Sequence, residues 1–268
     1  MREFQFYIVP TPIGNIQDIT LRSVDVLRNV DIIACEDTRI TQKLLNHYDI
    51  GTKCISYHKY NERERVEYFL KELEEGKKIA LVSDAGTPMI CDPGGVIVQE
   101  LTNAGFSVTS LPGACAVTTF LSQIPRKDEE FTFIGFIPRN EKQITEVVKQ
   151  HSAGDFVFYD SPQRILGTLK TIQKIRPNAV ISIGRELSKL FEEVITDKIS
   201  GIIEHFGDEV KGEIVCMVHR EKEVEDFDTV NKIKALKAKG FRDKEISIIL
   251  AELFGLNKND VYKQSLNL

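Results

Sequence analysis

Apolar residues along this chain come in two spacings that take turns. Phe6-Tyr7-Ile8-Val9 is a short unbroken apolar run and reads as a strand, ended by the turn Pro10-Thr11-Pro12-Ile13-Gly14-Asn15. Thr20 then caps a helix through Asn29, with Leu21, Val24 and Leu27 on one face. Residues 31–35 predict a short buried strand, 41–47 a short helix, and a further extended piece begins at Ile55. Residues 62–75 predict a charged helix whose inner face is Val66, Phe69, Leu70 and Leu73. A strand over 77–81, a helix over 96–101, a strand over 107–111 and a helix over 114–122 follow. Such alternation argues a mostly parallel sheet covered on both faces.

Around Gln123 to Asp128 the chain turns polar, which places a domain boundary there. Beyond it the pattern is α/β again but richer in strands. Strands are expected over 131–136, 155–159, 179–184, 192–196 and 212–218. A helix over 142–150 separates the first two, and another opens at Pro162, at the first-turn position proline favours, aligning Ile165, Leu169 and Ile172. Residues 221–228 hold five acids and one lysine and read as an exposed linker. Lys232, Lys234, Lys237, Lys239, Arg242 and Lys244 then stand against Asp243 alone. Ile246, Ile249, Leu250 and Leu253 follow at helical spacing, Gly255 reads as a stop, and Asn257 caps a last helix bearing Val261. The expected organisation is an α/β domain over 1–124, a second over 125–221, and a helix-turn-helix-like tail over 228–268.

Composition narrows the function classes. With 42% hydrophobic and 28% charged residues, the 268-residue chain is an ordinary globular one and long enough to bury sizeable cores. A net charge of −5 leaves nucleic-acid binding to a local basic patch such as the tail. Five scattered cysteines, without a C-x-x-C pair or histidines at ligand spacing, argue against a disulfide framework or structural zinc and for a reducing cytoplasm. No metal is expected. The first residues lack a long apolar run and a cleavage site, and no stretch reaches membrane length.

Candidate chemistry lies where strands hand over to helices. Ser83-Asp84-Ala85-Gly86-Thr87-Pro88 follows a strand, and Asp92-Pro93-Gly94-Gly95 leads into the next helix. Asp92 is expected to cap that helix, with Pro93 at its first position. The segment before it has no such local purpose. Its small residues let a ligand approach the backbone, at the strand end where open α/β sheets bind ligands. Leu111-Pro112-Gly113-Ala114-Cys115-Ala116 and Pro12-Ile13-Gly14 repeat the arrangement. Neither a G-x-G-x-x-G nor a G-K-[ST] is present, so dinucleotide and P-loop sites are not indicated. No lysine or arginine lies in the three corners, which suits a neutral or cationic small molecule rather than phosphates.

YIVPTPIGN, ACEDTR, LVSDAGTP, DPGG, LPGACA, GFIP, FYDSPQR and GREL, in this order, resemble the tetrapyrrole-methylase superfamily. Within it they are most similar to the branch that methylates the ribose 2′-hydroxyl of a cytidine in small-subunit ribosomal RNA. The resemblance runs from about Tyr7 to Val218, and the basic tail resembles that branch's C-terminal helical module. It implies S-adenosylmethionine bound between two α/β domains, usually in a cytoplasmic homodimer. Carried over by position, it places Ile13 at the first corner against the cofactor and Thr87 and Ile90 at the second, with Asp84 and Gly86 shaping that loop. Cys115 and Ala116 match the third corner, Tyr159 a strand end of the second domain, and Leu187 the segment after Arg185. Plain core packing is the alternative for Ile13, Ile90 and Leu187, and Cys115 reads as a small lining residue rather than a nucleophile.

A ribose hydroxyl is a weak nucleophile until a base removes its proton. Glu36, Asp37 and His58 are the candidate bases, with Arg39, Asn61 and Glu62 as candidate substrate contacts. Each group follows a strand of the first domain, and Arg39 can fork onto a phosphate. Asp37 can equally pair with Arg39 or cap the following helix. Two rival functions stand beside this one: methyl transfer to a tetrapyrrole ring or a modified protein side chain, and nucleic-acid binding through the tail alone.

Overall fold

The computed structural model describes residues 4–126, 129–220, 229–254 and 256–268. These fall into two compact units, one ending at Arg220 and the other made of the C-terminal helices. The expected linker over 221–228 and the Gly255 stop lie outside the described residues, as do two residues of the polar boundary, 127 and 128.

The first unit opens with β1 (Phe6–Ile8), a short 3-10 turn (Ile16–Asp18) and α1 (Leu21–Asn29), whose Thr20 cap accepts from the Ser23 amide. Then come β2 (Ile32–Cys35), α2 (Thr38–His47), β3 (Lys53–Ser56), α3 (Glu62–Glu74) and β4 (Ile79–Val82). α4 (Gly95–Asn103), β5 (Val108–Ser110) and α5 (Ala116–Leu121) complete the first half. Its sheet runs β3-β2-β4-β1-β5 and every pairing in it is parallel. Successive strand residues feed opposite faces. Ile32, Ala34, Ile79 and Leu81 pack with Phe69 and Leu73 of α3 and Ile97 of α4. Ile33, Cys35, Ala80 and Val82 pack with Leu27 of α1 and Leu45 of α2. Burial on both faces is why these strands read as unbroken apolar runs.

The second half supplies β6 (Thr132–Phe136), α6 (Glu141–Gln150), β7 (Phe156–Asp160), α7 (Ile165–Ile175), β8 (Val180–Arg185), β9 (Glu193–Lys198), α8 (Ile199–Phe206) and β10 (Ile214–Val218). Its sheet is mixed, in the order β6-β7-β10-β8-β9, with only β6 and β7 parallel. One face packs on Val148 of α6, Leu169 of α7 and Ile202 of α8. The other takes Val117, Phe120 and Leu121 of α5 against Val157, Val215 and Met217. A helix from the first half thus builds the core of the second. A Cβ on Gly184 would meet the Phe120 ring at 2.6 Å, so only glycine admits this approach.

Several element starts differ from the sequence reading, and at three of them local contacts give the reason. α2 begins at Thr38 because the Asp37 carboxylate accepts from the Arg39 amide at 2.8 Å and caps it. α4 begins at Gly95 with Gly94 as its cap, at φ 139, a left-handed value that favours glycine. Asp92 is therefore not the cap, and Pro93 is not the first helical residue. α7 begins at Ile165, with Pro162 in the preceding turn, where Arg164 turns back to pair with the buried Asp160. α8 was not expected from the sequence at all. The second unit holds α9 (Thr229–Ala238), α10 (Asp243–Phe254) and α11 (Lys258–Leu266) around Ile233, Ile246, Leu250 and Val261. Asn257 caps α11 through the amides of Asn259 and Asp260.

Candidate active site

All five strands of the first sheet are parallel, so their carboxyl ends lie in one row. The corners after β4, β1 and β5 are neighbours in that row because those strands are neighbours. Hydrogen bonds lock them together. Thr11 and Gly86 exchange backbone bonds of 2.9 and 3.0 Å, and the Thr11 hydroxyl donates to the Ser83 carbonyl at 3.0 Å. The Thr87 hydroxyl donates to the Ala114 carbonyl at 2.8 Å. Gly86 has φ 83, and a Cβ there would stand 3.2 Å from Ile13 Cγ2 and 3.6 Å from the Ala114 carbonyl oxygen.

A cavity of about 400 Å³ opens against these corners. Ile13 lines it from the first corner, Asp84, Gly86, Thr87 and Ile90 from the second, and Cys115 and Ala116 from the third. Tyr159 and Leu187 line it from the second sheet. All nine residues placed by position thus face one space. Its walls also hold Asp92, Asp160 and Glu213, and no lysine or arginine. Burial pushes the carboxyls of Asp84 and Asp92 up, and each is raised further by a neighbouring acid. Burial likewise raises the Tyr159 phenol. A space walled by carboxylates and apolar side chains favours a cation with an apolar body.

The other six residues stand at the ends of β2 and β3, in the same row, and none lines this cavity. The Asp37 amide donates to Asp84 Oδ1 at 3.0 Å, joining the two groups. The Asp37 carboxylate accepts from Arg39 Nε at 3.0 Å and Nη2 at 2.6 Å, and these bonds hold its pKa down at about 2. The Arg39 side chain is still 87% exposed. Glu36 has a carboxyl raised by burial first, then by Asp84 and Asp92. The His58 amide donates to Asn61 Oδ1 at 2.8 Å, and Asn61 Nδ2 donates to the Ser56 carbonyl. The Tyr60 amide donates to His58 Nδ1, so a neutral ring carries its proton on Nε2. Glu62 accepts from the Tyr57 hydroxyl at 2.9 Å and from the Gly94 amide at 3.3 Å.

Residues 5–203 match the family model for Tetrapyrrole (Corrin/Porphyrin) Methylases. The chain belongs to the tetrapyrrole methylase family. Over 268 residues it is 39% identical to ribosomal RNA small subunit methyltransferase I of Halalkalibacterium halodurans, covering 96% of this chain and 92% of that protein. It is 37% identical to the protein of the same name from Escherichia coli O157:H7, covering 98% and 94%. Solved structures of the same fold include diphthine synthase, with TM-score 0.64 at 15% identity over 80% of this chain and 89% of that one. Another is uroporphyrin-III C-methyl transferase from Thermus thermophilus complexed with S-adenyl homocysteine, with TM-score 0.55 at 16% identity over 83% and 100%.

In this tetrapyrrole methylase the sequence reading missed several cavity residues. Asp92 turns inward instead of capping α4, Phe136 and Val215 come from the second sheet, and Pro162 comes from the turn after β7. Phe136 and Pro162 lie inside GFIP and FYDSPQR, so those motifs carried the signal. Val215 carries none, because only the β7–β10 pairing sets it opposite Tyr159.

Proposed function

We propose that this chain transfers a methyl group from S-adenosylmethionine to the ribose 2′-hydroxyl of a cytidine in small-subunit (16S) ribosomal RNA. The observation that carries the reading is near-full-length identity of 36–39% to relatives named for that RNA. The cavity supports it independently, since its acids and apolar walls suit a sulfonium and its lack of basic groups leaves no phosphate site. Ile13, Ile90, Leu187 and Tyr159 would hold the cofactor's body, and Asp84 and Asp92 would favour its charge. When bound, the cofactor supplies an already activated methyl group, so the protein's task is alignment and exclusion of water.

The rim has its own roles in this proposal. Asp37 orients Arg39, whose exposed guanidinium meets a phosphate of the RNA. Glu36 and His58 set the field at the mouth, and Asn61 and Glu62 hold the His58 loop in place. Residues 1–124 and 125–221 act as the two methylase lobes, 228–268 as an RNA-binding tail, and the enzyme works as a cytoplasmic homodimer. Among the described residues no helix is long and apolar enough to cross a membrane.

Calorimetric titration with S-adenosylmethionine, followed by labelled methyl transfer to small ribosomal subunits lacking the modification, tests the reading. One methyl group per subunit, mapped to a cytidine ribose, is the expected result. Binding without transfer to subunits or their RNA, together with transfer to a tetrapyrrole or a modified protein side chain, would overturn it.

A further inference from the structure

A second cavity, of about 240 Å³, shares a wall with the first: Ile13, Asp84, Ala85 and Glu213 face both. Its other sides are the first corner and the face of α2 carrying Ile40, Thr41 and Leu44, with Lys189 at one edge. Thr41 is 3% exposed, and its hydroxyl has no hydrogen-bond partner. The Cys35 thiol lies beside it and is a weak partner at best. That hydroxyl oxygen is itself buried, so the lining a ligand can reach includes the side chains of Ile40 and Leu44 and the acids Asp84 and Glu213. The apolar side chains of Ile40 and Leu44 meanwhile offer a surface for a flat ring.

We infer that this second cavity receives the acceptor nucleotide, extruded from the RNA, with its base against Ile40 and Leu44 and its ribose at the shared wall, where Asp84 takes the hydroxyl proton. The inference rests on the function proposed above and gives that reaction its acceptor site. Enzymes that act on a nucleotide within structured nucleic acid bring it out of the stack into a pocket. Asp84 and Glu213 are the acids that face both cavities; Glu213 Oε2 is taken by the Lys189 ammonium at 3.0 Å, whereas one Asp84 oxygen is fixed by the neutral Asp37 amide at 3.0 Å. Glu36 and Asp92 face it as acids, and Asp37 and Arg39 as an ion pair; burial and then the Asp37 charge raise its carboxyl, while the bond from the Asp37 amide and the Arg39 charge lower it. The hydroxyl proton passes to the Asp84 carboxylate as the ribose oxygen bonds to the methyl carbon. The carbon–sulfur pair stays on sulfur, which leaves as a neutral thioether, and Asp84 returns the proton to solvent.

The chain has no tryptophan, so Ile40→Trp places the sole indole at the cavity wall. Cytidine 5′-monophosphate should quench its fluorescence. Leu44→Trp, which fills the space, should bind S-adenosylmethionine as the parent does and lose most of kcat/KM on small subunits. At saturating cofactor, Asp84→Asn should lose about 100-fold or more in kcat and lose the rise of rate with pH, whatever it costs in cofactor affinity. An unquenched indole with a Leu44→Trp enzyme of parental kcat/KM would sink the acceptor site while leaving the proposed function standing. Parental kcat in Asp84→Asn at saturating cofactor, or an unchanged pH profile, would remove the base. A parent that neither binds the cofactor nor methylates subunits would instead fail the proposed function itself.

Discussion

Gly86 shows how much one position can decide. Its φ of 83 is in the region L side chains avoid, and its missing Cβ is what lets Ile13 come close. Gly86→Val is expected to lower stability by about 1–3 kcal/mol from backbone strain and to weaken cofactor binding at least tenfold. Thermal melting and calorimetry measure the two effects separately, and a folded variant with parental affinity would place the cofactor elsewhere. Asp37 works through charge instead. Its pKa of about 2, set by Arg39, lies below the ordinary carboxylate value of about 3.9. A depressed carboxylate contributes stability above its unfolded value and loses that contribution as pH falls through the folded one. The stability gap between the parent and Asp37→Asn should therefore be full at pH 7 and shrink between about pH 4 and pH 2. Urea unfolding across that range tests it, and a gap independent of pH would mean the pair is not acting as an ion pair.

Elements were legible where apolar spacing alone sets them, and less so where a turn decides. The strands of the first sheet and the inner face of α3 follow directly from runs and periodicity. The start of α4 does not, because Asp-Pro-Gly-Gly satisfies a local capping rule while the chain spends those residues on a turn. Met89 at φ 71 and Gly94 at φ 139 carry the path, and Asp92 is drawn into the cavity. In α8 the spacing of Ile199, Ile202, Ile203 and Phe206 was present, but Gly201 and a preceding strand obscured it. A Cβ on that glycine would meet Asp197 Oδ2 at 2.2 Å, so the exposed carboxylate would have to swing aside to admit one. The corners after β1, β4 and β5 were legible because each is a compact motif; Val215 was not, because antiparallel pairing brings it in from 55 residues beyond Asp160. α5 is the element on which both halves depend. Phe120 is fully buried between α5 and the second sheet, so Phe120→Ala should cost about 3–5 kcal/mol. Denaturant unfolding would show a single shifted transition if the halves unfold together, and two transitions if α5 does not join them.

Charge is distributed over the protein in a way that separates catalysis from capture of the RNA. The cavity is acidic and the chain is net-acidic at −5, so attraction to an RNA must be local. The basic run in the second unit is the place proposed for it, although its six cations are not equally free to contribute. Lys237 is tied to Asp243 at 3.0 Å and to the Ser265 carbonyl at 2.6 Å, and Lys232 sits 4.3 Å over the Phe254 ring. Lys234, Lys239, Arg242 and Lys244 are exposed. Four phosphate contacts would release counterions with a slope of about 3 in log affinity against log salt. Deleting 228–268 should therefore leave S-adenosylmethionine binding at the parental level, weaken binding to small subunits, and reduce the salt slope by about 3. Charge reversal of Lys234 and Lys239 to Glu in the full chain should reproduce part of that loss without disturbing the Ile233–Ile246–Leu250 core. Subunit affinity and salt slope that stay parental in both variants would show that the run is a solvated face, and that the RNA is held by Arg39 and the rim of the first unit.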